Sequence, residues 1–430
     1  MSTESLPLDL PEKLRGKKIV LVNSSDILGG AAIVTFRLMQ ALRRAGLDAR
    51  MVVYTKLSDE KNVSAISTRW RRGAAFMFER IGLFLANGLS RETLFKISSG
   101  RFALGVAAHP WVKEADIVCL GWFNQGLLGL KGIERLHKQG KRLVWTLHDM
   151  WAMTGICHHA YTCTHYFKAC GNCQFLNGGG QPNDLSHRIW EDKHALYESV
   201  PIQFVTVSTW LEELARSSSL LRSMPVRTIH NPFPIDSYAI EPSHPMTPIL
   251  SGDKTDIIVF GAARIDDPIK DVDTAIDALN YIFDTNPRAA EKMLVIFYGD
   301  LRDPRVLDRL RVSHRSLGLI NDQQVVRDIL ASAKVVLSTS RYETLGGTLV
   351  EGQAAGAIPV CFAEDGRRDV VTHKVNGYVA ARGDVRDFAR GILWALKCGI
   401  SRESLNASVR ERFSSDIIAR KYISLFEEII

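Results

Sequence analysis

The stretch Val335–Val360, VVLSTSRYETLGGTLVEGQAAGAIPV, decides the fold. It opens with a β-branched apolar run, VVLS, of the kind that forms a strand buried on both faces. A polar loop containing Glu343 follows, and Gly346-Gly347-Thr348 then opens a helix that stops at Gly356, before a second apolar run, AIPV. Strand, loop, helix and strand in that order form a parallel β–α–β unit. The turn into the helix also carries chemistry. The first amides of a helix lack partners within it and sit at the positive end of its dipole, so this turn suits a diphosphate. The glycines allow the backbone to approach such a ligand closely. Glu343 lies in the loop and Glu351 about one turn into the helix, with seven residues between them. An acceptor-only carboxylate at Glu351 can take two ribose hydroxyls.

Working outward, the same alternation fills the chain. DIIVFGAARI, KMLVIFYGD and KVVLSTS are apolar strands, with the helices KDVDTAIDALNYIF and VVRDILASA between them. Towards the N-terminus, KKIVLVNSS (Lys17–Ser25) leads through Asp26 and the pair Gly29-Gly30 into the helix AAIVTFRLMQALRRAG. Further strands are ARMVVYT, DIVCLGW, RLVWTLHD and QFVTVSTW. The two series are separated by NPFPIDSYAIEPSHPMTPILSGDK, which holds five prolines and little periodicity. The expected division is a first Rossmann-like domain over 1–236 with a cysteine-rich insertion at 157–173, a linker over 237–253, a second Rossmann-like domain over 254–414, and a helix over 415–430 that crosses back to the first domain. The fold class is α/β, two such domains facing across a cleft. In open α/β sheets ligands bind beyond the carboxyl ends of the strands, so His148, after RLVWTL, should face the cleft.

A chain of 430 residues suits two domains, and 46% apolar with 23% charged residues excludes disorder, collagen and coiled coil. The N-terminus, MSTESLPLDLPEKLRGKK, has no apolar core, so no secretory signal is expected, and no apolar run is long enough to suggest a transmembrane helix. A reducing cytoplasm is the expected location. The net charge of +7 does not by itself imply nucleic acid. The basic excess is concentrated, however. The window 67–101 holds seven Arg or Lys against two Glu, interleaved with Trp70, Phe76, Phe78, Leu85, Leu89 and Phe95. Such a segment can lie in an anionic membrane interface, at the inner face of the membrane; the alternative is a helical pair packed on a core with its arginines on the wet face.

The Glu343…Glu351 segment, with Ala354, Gly356, Pro359 and Val360 after it, resembles the family-4 glycosyltransferases, and the resemblance covers nearly the whole chain. Within that family WTLHDMWAMTG and the cysteines after it are most similar to transferases of exopolysaccharide or colanic-acid biosynthesis. The resemblance implies the GT-B fold and a retaining hexosyltransferase that uses a nucleotide sugar (GDP- or UDP-linked), a lipid-linked glycan acceptor, and no catalytic metal. It implies that Glu351 holds the ribose and that Glu343 contacts the transferred sugar. Gly346, Gly347 and Thr348 would offer amides near the phosphates, and Arg264 and Lys270 would neutralise the diphosphate leaving group. His148 would bond the donor sugar, and Gly29 and Gly30 would face phosphate or acceptor. The family often has glycine after the lysine; Asp271 stands there. Under the same fold the alternatives are epimerase or phosphorylase chemistry, or an inactive scaffold, which the intact Arg264, Lys270, Glu343 and Glu351 argue against.

Four of the seven cysteines, Cys157, Cys163, Cys170 and Cys173, share one segment, and the last two form a C-x2-C knuckle. Four thiolates can close a tetrahedral structural zinc site, with His158, His159 and His165 as spare ligands. An iron–sulfur cluster or four unligated thiols are the alternatives. A zinc-containing nucleic-acid binder is the reading from another functional class, but no recognition helix or RNP motif accompanies the cysteines. No nucleic acid is expected as a partner.

Overall fold

The structure, a computed structural model, describes residues 10–66, 69–240, 255–362 and 364–430, with backbone only for 69–71. Most of the expected linker, 241–253, and residues 67 and 68 of the basic window lie outside the described residues. The chain divides into two compact units, Met1–Pro232 with Ile418–Ile430, and Phe233–Ile417.

In chain order the first unit contains β1 (Lys18–Ser25), α1 (Gly30–Arg44), β2 (Asp48–Thr55), β3 (Val63–Ala65), α2 (Arg69–Ala86), α3 (Pro110–Glu114), β4 (Ile117–Leu120), α4 (Leu130–Lys138), β5 (Arg142–Leu147), α5 (Leu185–Ser199), β6 (Ile202–Thr206), α6 (Thr209–Ser217) and β7 (Val226–Thr228). Its seven strands lie in the order β3-β2-β1-β4-β5-β6-β7, and every recorded pairing is parallel. The second unit contains β8 (Asp256–Arg264), α7 (Val272–Thr285), α8 (Pro287–Ala290), β9 (Met293–Asp300), β10 (His314–Ser316), α9 (Gln323–Ser332), β11 (Val335–Ser338), α10 (Gly347–Ala354), β12 (Ile358–Phe362), β13 (Tyr378–Ala380), α11 (Val385–Ala395) and α12 (Arg402–Phe413). Its parallel sheet has the order β10-β9-β8-β11-β12-β13. Both orders reverse direction after the first strand of the unit, the arrangement that defines a Rossmann-like sheet and its ligand crevice.

The strands read as continuous apolar runs because helices cover both faces of each sheet. Along β8, Ile258 and Phe260 join the core on one face, while Ile257 and Val259 join the core on the other. Phe233, Ile235 and Tyr238 also sit in that second core, so the chain enters the second unit at Phe233, before the expected end of the first domain at 236. The last helix, α13 (Ser415–Ile429), begins in the second unit and ends in the first. Its Ile418, Tyr422, Leu425 and Phe426 are core residues there, each worth about 1.5–3 kcal/mol of burial. The Tyr422 hydroxyl meets that of Thr146 on β5 at 2.9 Å.

Candidate active site

The crevice of the second sheet opens between the ends of β8 and β11. A cavity there is lined by Gly261, Lys270, Ser340, Glu343, Gly346 and Thr348, among others. Backbone and side-chain bonds fix the two loops that build it. The Thr339 hydroxyl donates to the carbonyls of Lys270 and Asp271 at 3.0 and 2.7 Å, and the Arg341 amide donates to the Ile269 carbonyl at 2.7 Å. These bonds bring Lys270 over the β11 loop, where its ammonium donates to Glu343 Oε1 at 2.6 Å. Burial pushes the Glu343 carboxyl up, but the charge and hydrogen bond of Lys270, with Arg367 and Ser340, outweigh it and hold the group below its ordinary range. It is therefore a carboxylate near neutral pH.

Gly346 is the N-cap of α10 at φ 94°, with no side-chain cap. A left-handed residue is needed at this turn, and a Cβ would also stand 2.9 Å from Arg367 Cγ, so glycine answers both constraints. The helix start beside Lys270 thus presents its amides without a competing side chain. Glu351 lies on α10 outside the lining of the cavity, where its charge adds to the burial that pushes the Tyr298 phenol up. Tyr298 in turn crosses Gly261, where a Cβ would fall 2.1 Å from the ring.

Arg264 stands differently from Lys270. Its guanidinium pairs with Asp267 at 3.1 Å and faces Asp266 at 3.6 Å, and it is not among the residues lining the Lys270–Glu343 cavity. Asp271, where the family often has glycine, adopts the left-handed conformation glycine would supply (φ 51°, ψ 50°) and pairs with Arg341 at 3.3 Å. The turn is therefore kept at the expense of a strained non-glycine residue.

Two residues that the sequence did not point to support the site from below. Arg367 is 1% exposed and forms a bidentate pair with Asp365, both contacts at 2.9 Å. Asp365 Oδ2 also accepts the Glu343 amide at 3.0 Å. The only signal in the sequence was the pair of arginines after an aspartate in EDGRRD, which looks like a surface turn.

In the first unit, His148 follows β5 and lines a cavity with Thr35, Gly121, Thr146 and Tyr422. Burial drives its pKa down to about 4 against the opposing charge of Asp149, so the ring is neutral at physiological pH. Asp149 is an orienting group. It accepts the Trp151 amide at 2.8 Å, the Trp122 indole N–H at 2.7 Å and His158 Nδ1 at 2.6 Å. Burial raises its carboxyl, but the His158 charge and these bonds bring it to about 2. His158 Nε2 meets the Ser98 hydroxyl at 3.0 Å, so both ring nitrogens are engaged and His158 is no spare metal ligand. Gly29 caps α1 at φ 91° and, with Gly30, lies exposed at the end of β1, outside the lining of the His148 cavity. Asp26 anchors that loop through the amides of Leu57 and Ser58 at 3.0 and 2.8 Å.

Cys157, Cys163, Cys170 and Cys173 all line one further cavity, with His165 and Tyr166. All four are free thiols. Among the described residues no three His, Cys, Asp or Glu side chains already stand in a metal-holding arrangement, so the expected four-ligand set is gathered but not closed.

Comparison with known proteins bears on the fold that carries these residues. Residues 249–412, within the second unit, match the family model of glycosyl transferases group 1. The chain is 26% identical over 318 residues to an uncharacterized glycosyltransferase of Methanocaldococcus jannaschii, covering 70% of this chain and 77% of that one. Among solved structures it resembles Anabaena HepE in complex with UDP and glucose, at a TM-score of 0.63 and 16% identity, over 96% of this chain and 100% of that one. It also resembles WaaG, a glycosyltransferase involved in lipopolysaccharide biosynthesis, at a TM-score of 0.61 and 14% identity, over 95% and 99% of the two chains. The fold is that of the GT-B glycosyltransferases, two Rossmann-like domains with parallel sheets.

Proposed function

We propose that this chain is a retaining, family-4 glycosyltransferase. It moves a sugar from a nucleotide donor, a UDP-sugar before a GDP-sugar, to a lipid-linked glycan acceptor in the biosynthesis of a surface polysaccharide. The observation that carries this reading is the Lys270–Glu343 pair beside the uncapped start of α10, at the ligand crevice of a sheet within the family-matched residues. UDP is favoured because HepE, the solved fold relative, binds it; a surface polysaccharide is favoured by the role of WaaG.

In this reading the sugar's C1–O bond to the diphosphate breaks and its electron pair leaves with the phosphate. The new bond forms from the acceptor hydroxyl on the same face, and a leaving-phosphate oxygen takes the hydroxyl proton. Negative charge therefore grows on phosphate, where a fixed cation and aimed amides are worth most. Lys270 and the amides of Gly346, Gly347 and Thr348 supply them. Arg264 joins only if the donor draws it from Asp266 and Asp267. Glu343 takes sugar hydroxyls while holding the Lys270 ammonium in place, Glu351 takes the ribose, and neutral His148 donates or accepts one hydrogen bond on the sugar side.

The membrane side of the reading rests on α2 and the loop after it. Phe78 and Leu85 are 60% and 63% exposed, at helical spacing with Met77 and Ile81, and Leu89 and Phe95 in the loop after the helix are also exposed. Arg91 and Lys96 are exposed beside them, complementary to anionic lipid. The window is not uniformly a wet basic face. Arg80 is buried and donates to the carbonyls of Leu94 and Ile97, and Glu79 is buried on the Ser99 amide and hydroxyl. No helix among the described residues is long and apolar enough to cross a membrane, so the contact proposed is peripheral, at the cytoplasmic face.

Thermal melting with UDP, GDP and their sugars tests the donor site, because a ligand of the native state alone raises the melting point by mass action. A shift with one base, lost in Glu351→Ala, is expected; no shift with any nucleotide overturns the reading. For the membrane, Phe78→Ser with Leu85→Ser should weaken binding to anionic vesicles by about tenfold or more. Unchanged binding would remove α2 from the interface.

A further inference from the structure

Between β5 and α5 the chain runs from His148 to Asp184 with only three single 3-10 turns, at Trp151–Met153, His165–Phe167 and Asn177–Gly179. Irregular segments of this length are uncommon inside a compact domain, because ordering them costs chain entropy that no helix or strand of their own offsets. Here the segment is folded around the four cysteines. They approach from three directions: Cys157 bridges to Ile97, Cys163 follows the Ala160 turn, and Cys170 and Cys173 flank a knuckle with Gly171 at φ 150° and Asn172 at φ 45°. The knuckle is pinned: the Asn172 amide donates to the Gln181 carbonyl at 2.8 Å and the Cys173 amide to Asp184 at 2.8 Å.

A second observation comes from the charge beneath the cavity. Lys193 on α5 is 0% exposed. Its ammonium donates to the carbonyls of Trp151, Thr154 and Gly155 at 2.5, 2.9 and 2.9 Å and lies 3.5 Å over the Trp151 ring. No carboxylate forms an ion pair with it among the described residues, and the carboxylate whose charge acts on it is that of Asp149. A buried cation ordinarily has an anion near it. The same Gly155 peptide that accepts from Lys193 donates its N–H to Cys170 Sγ at 3.1 Å, so one peptide links the ammonium to the thiol cavity, where the charges of Cys170 and Cys157, with that of Asp149, act on it.

We propose that Cys157, Cys163, Cys170 and Cys173 close on one zinc ion as a structural four-thiolate site, with Lys193 as its buried counter-charge. Each thiol gives up its proton on binding, and the resulting site is a dianion that the ammonium partly neutralises through the Gly155 peptide. The side chains as they stand are not at ligand positions. Closure requires rotation of the cysteine side chains within the cavity they already share. The ion would be structural, since the four sulfurs fill a tetrahedral shell. It would clamp the segment that carries Asp149 and His158, and through them the loop bearing His148. The proposal is independent of the transferase reading.

The test is metal analysis of the tag-free full chain, purified under reducing conditions without chelator. About one zinc per chain is expected, with X-ray absorption showing four sulfurs at about 2.3 Å. Cobalt substitution of the wild-type chain should give the intense thiolate charge-transfer bands of a tetrahedral sulfur site, a readout that needs no variant to fold. Cys170→Ser and Cys173→Ser should each lower zinc retention by about tenfold or more. A reduced chain that holds under about a tenth of an equivalent of zinc and takes up neither zinc nor cobalt overturns the proposal. So would iron in place of zinc, disulfides among the four residues in lysate alkylated at once, or a shell dominated by nitrogen or oxygen.

Discussion

Replacing Lys270 by methionine keeps the length of the side chain and removes its charge. The ammonium and Glu343 meet at 2.6 Å with side chains 29% and 20% exposed. An exposed pair is worth about 0–1 kcal/mol, and breaking a fully buried one costs about 3–5 kcal/mol. The partial exposure places Lys270→Met between them, at about 1–2 kcal/mol of lost stability. The loss has a defined pH dependence. With Lys270 present, Glu343 is held below its ordinary value of 4.5, so its share of the stability is present above that value and is lost as pH falls through the folded pKa. Without Lys270, burial of the carboxyl is opposed by Arg367 and Ser340, and the carboxyl moves upward. The deficit of the variant is thus largest at neutral pH and shrinks in acid. Turnover should fall by about 10²–10³-fold, the cost of removing one group that meets charge growing in the transition state. The double variant Lys270→Met/Glu343→Gln separates the two effects. It should recover most of the stability, giving a coupling of about 1–2 kcal/mol in a double-mutant cycle, and recover none of the turnover. Urea denaturation at neutral and acid pH, with donor turnover in parallel, reads both. A single variant within about threefold of wild-type turnover, or strictly additive stabilities, would refute the reasoning.

Asp365→Asn leaves the buried Arg367 without its charge partner and should destabilise the chain by about 3 kcal/mol or more, measured by denaturant unfolding; a cost under about 1 kcal/mol would mean that the pair does not hold the Glu343 loop. Asp271→Gly relieves the left-handed residue at φ 51° and loses an ion pair whose arginine is exposed, so the net effect is a gain of about 0.5–1 kcal/mol, seen as a higher melting point; a loss would show that the Arg341 contact matters more than the strain. His148 has a folded pKa of about 4 against 6.5 unfolded. The unfolded chain therefore takes up a proton that the folded chain refuses, and stability falls as pH drops from 6.5 to 4. His148→Gln should flatten that slope by roughly 2–3 kcal/mol across the window; a pH-independent difference from wild type would place His148 in an ordinary solvated setting.

The alternation of apolar runs and helices was legible in the sequence because both faces of each sheet are covered. A strand such as IVLV at β1 then has no polar register to obscure it. The Glu343–Gly346–Glu351 segment was legible for a related reason: the strand end, the turn and the helix start are contiguous, and local rules of backbone conformation act over that distance. Glycine at 346 was the residue the turn required. Asp271 shows the limit of such rules, since the same conformation is held there by a residue that does not advertise it.

What the tertiary structure alone decided is which distant groups meet. Lys270 reaches Glu343 across 73 residues of sequence, and Arg264, expected beside it, is held by Asp266 and Asp267 instead. Asp365 and Arg367 lie 22 and 24 residues from Glu343, yet they support its loop. His158, a spare ligand by spacing, is committed to Asp149 and Ser98, and Arg80, a surface charge by pattern, is buried on backbone carbonyls. The physical reason is common to all of them. Hydrophobic periodicity specifies which face of an element is buried, because burial scales with area and needs no particular partner. A charge or a hydrogen-bonding group is specified by distance and direction to one other atom, and that geometry exists only once the elements have packed.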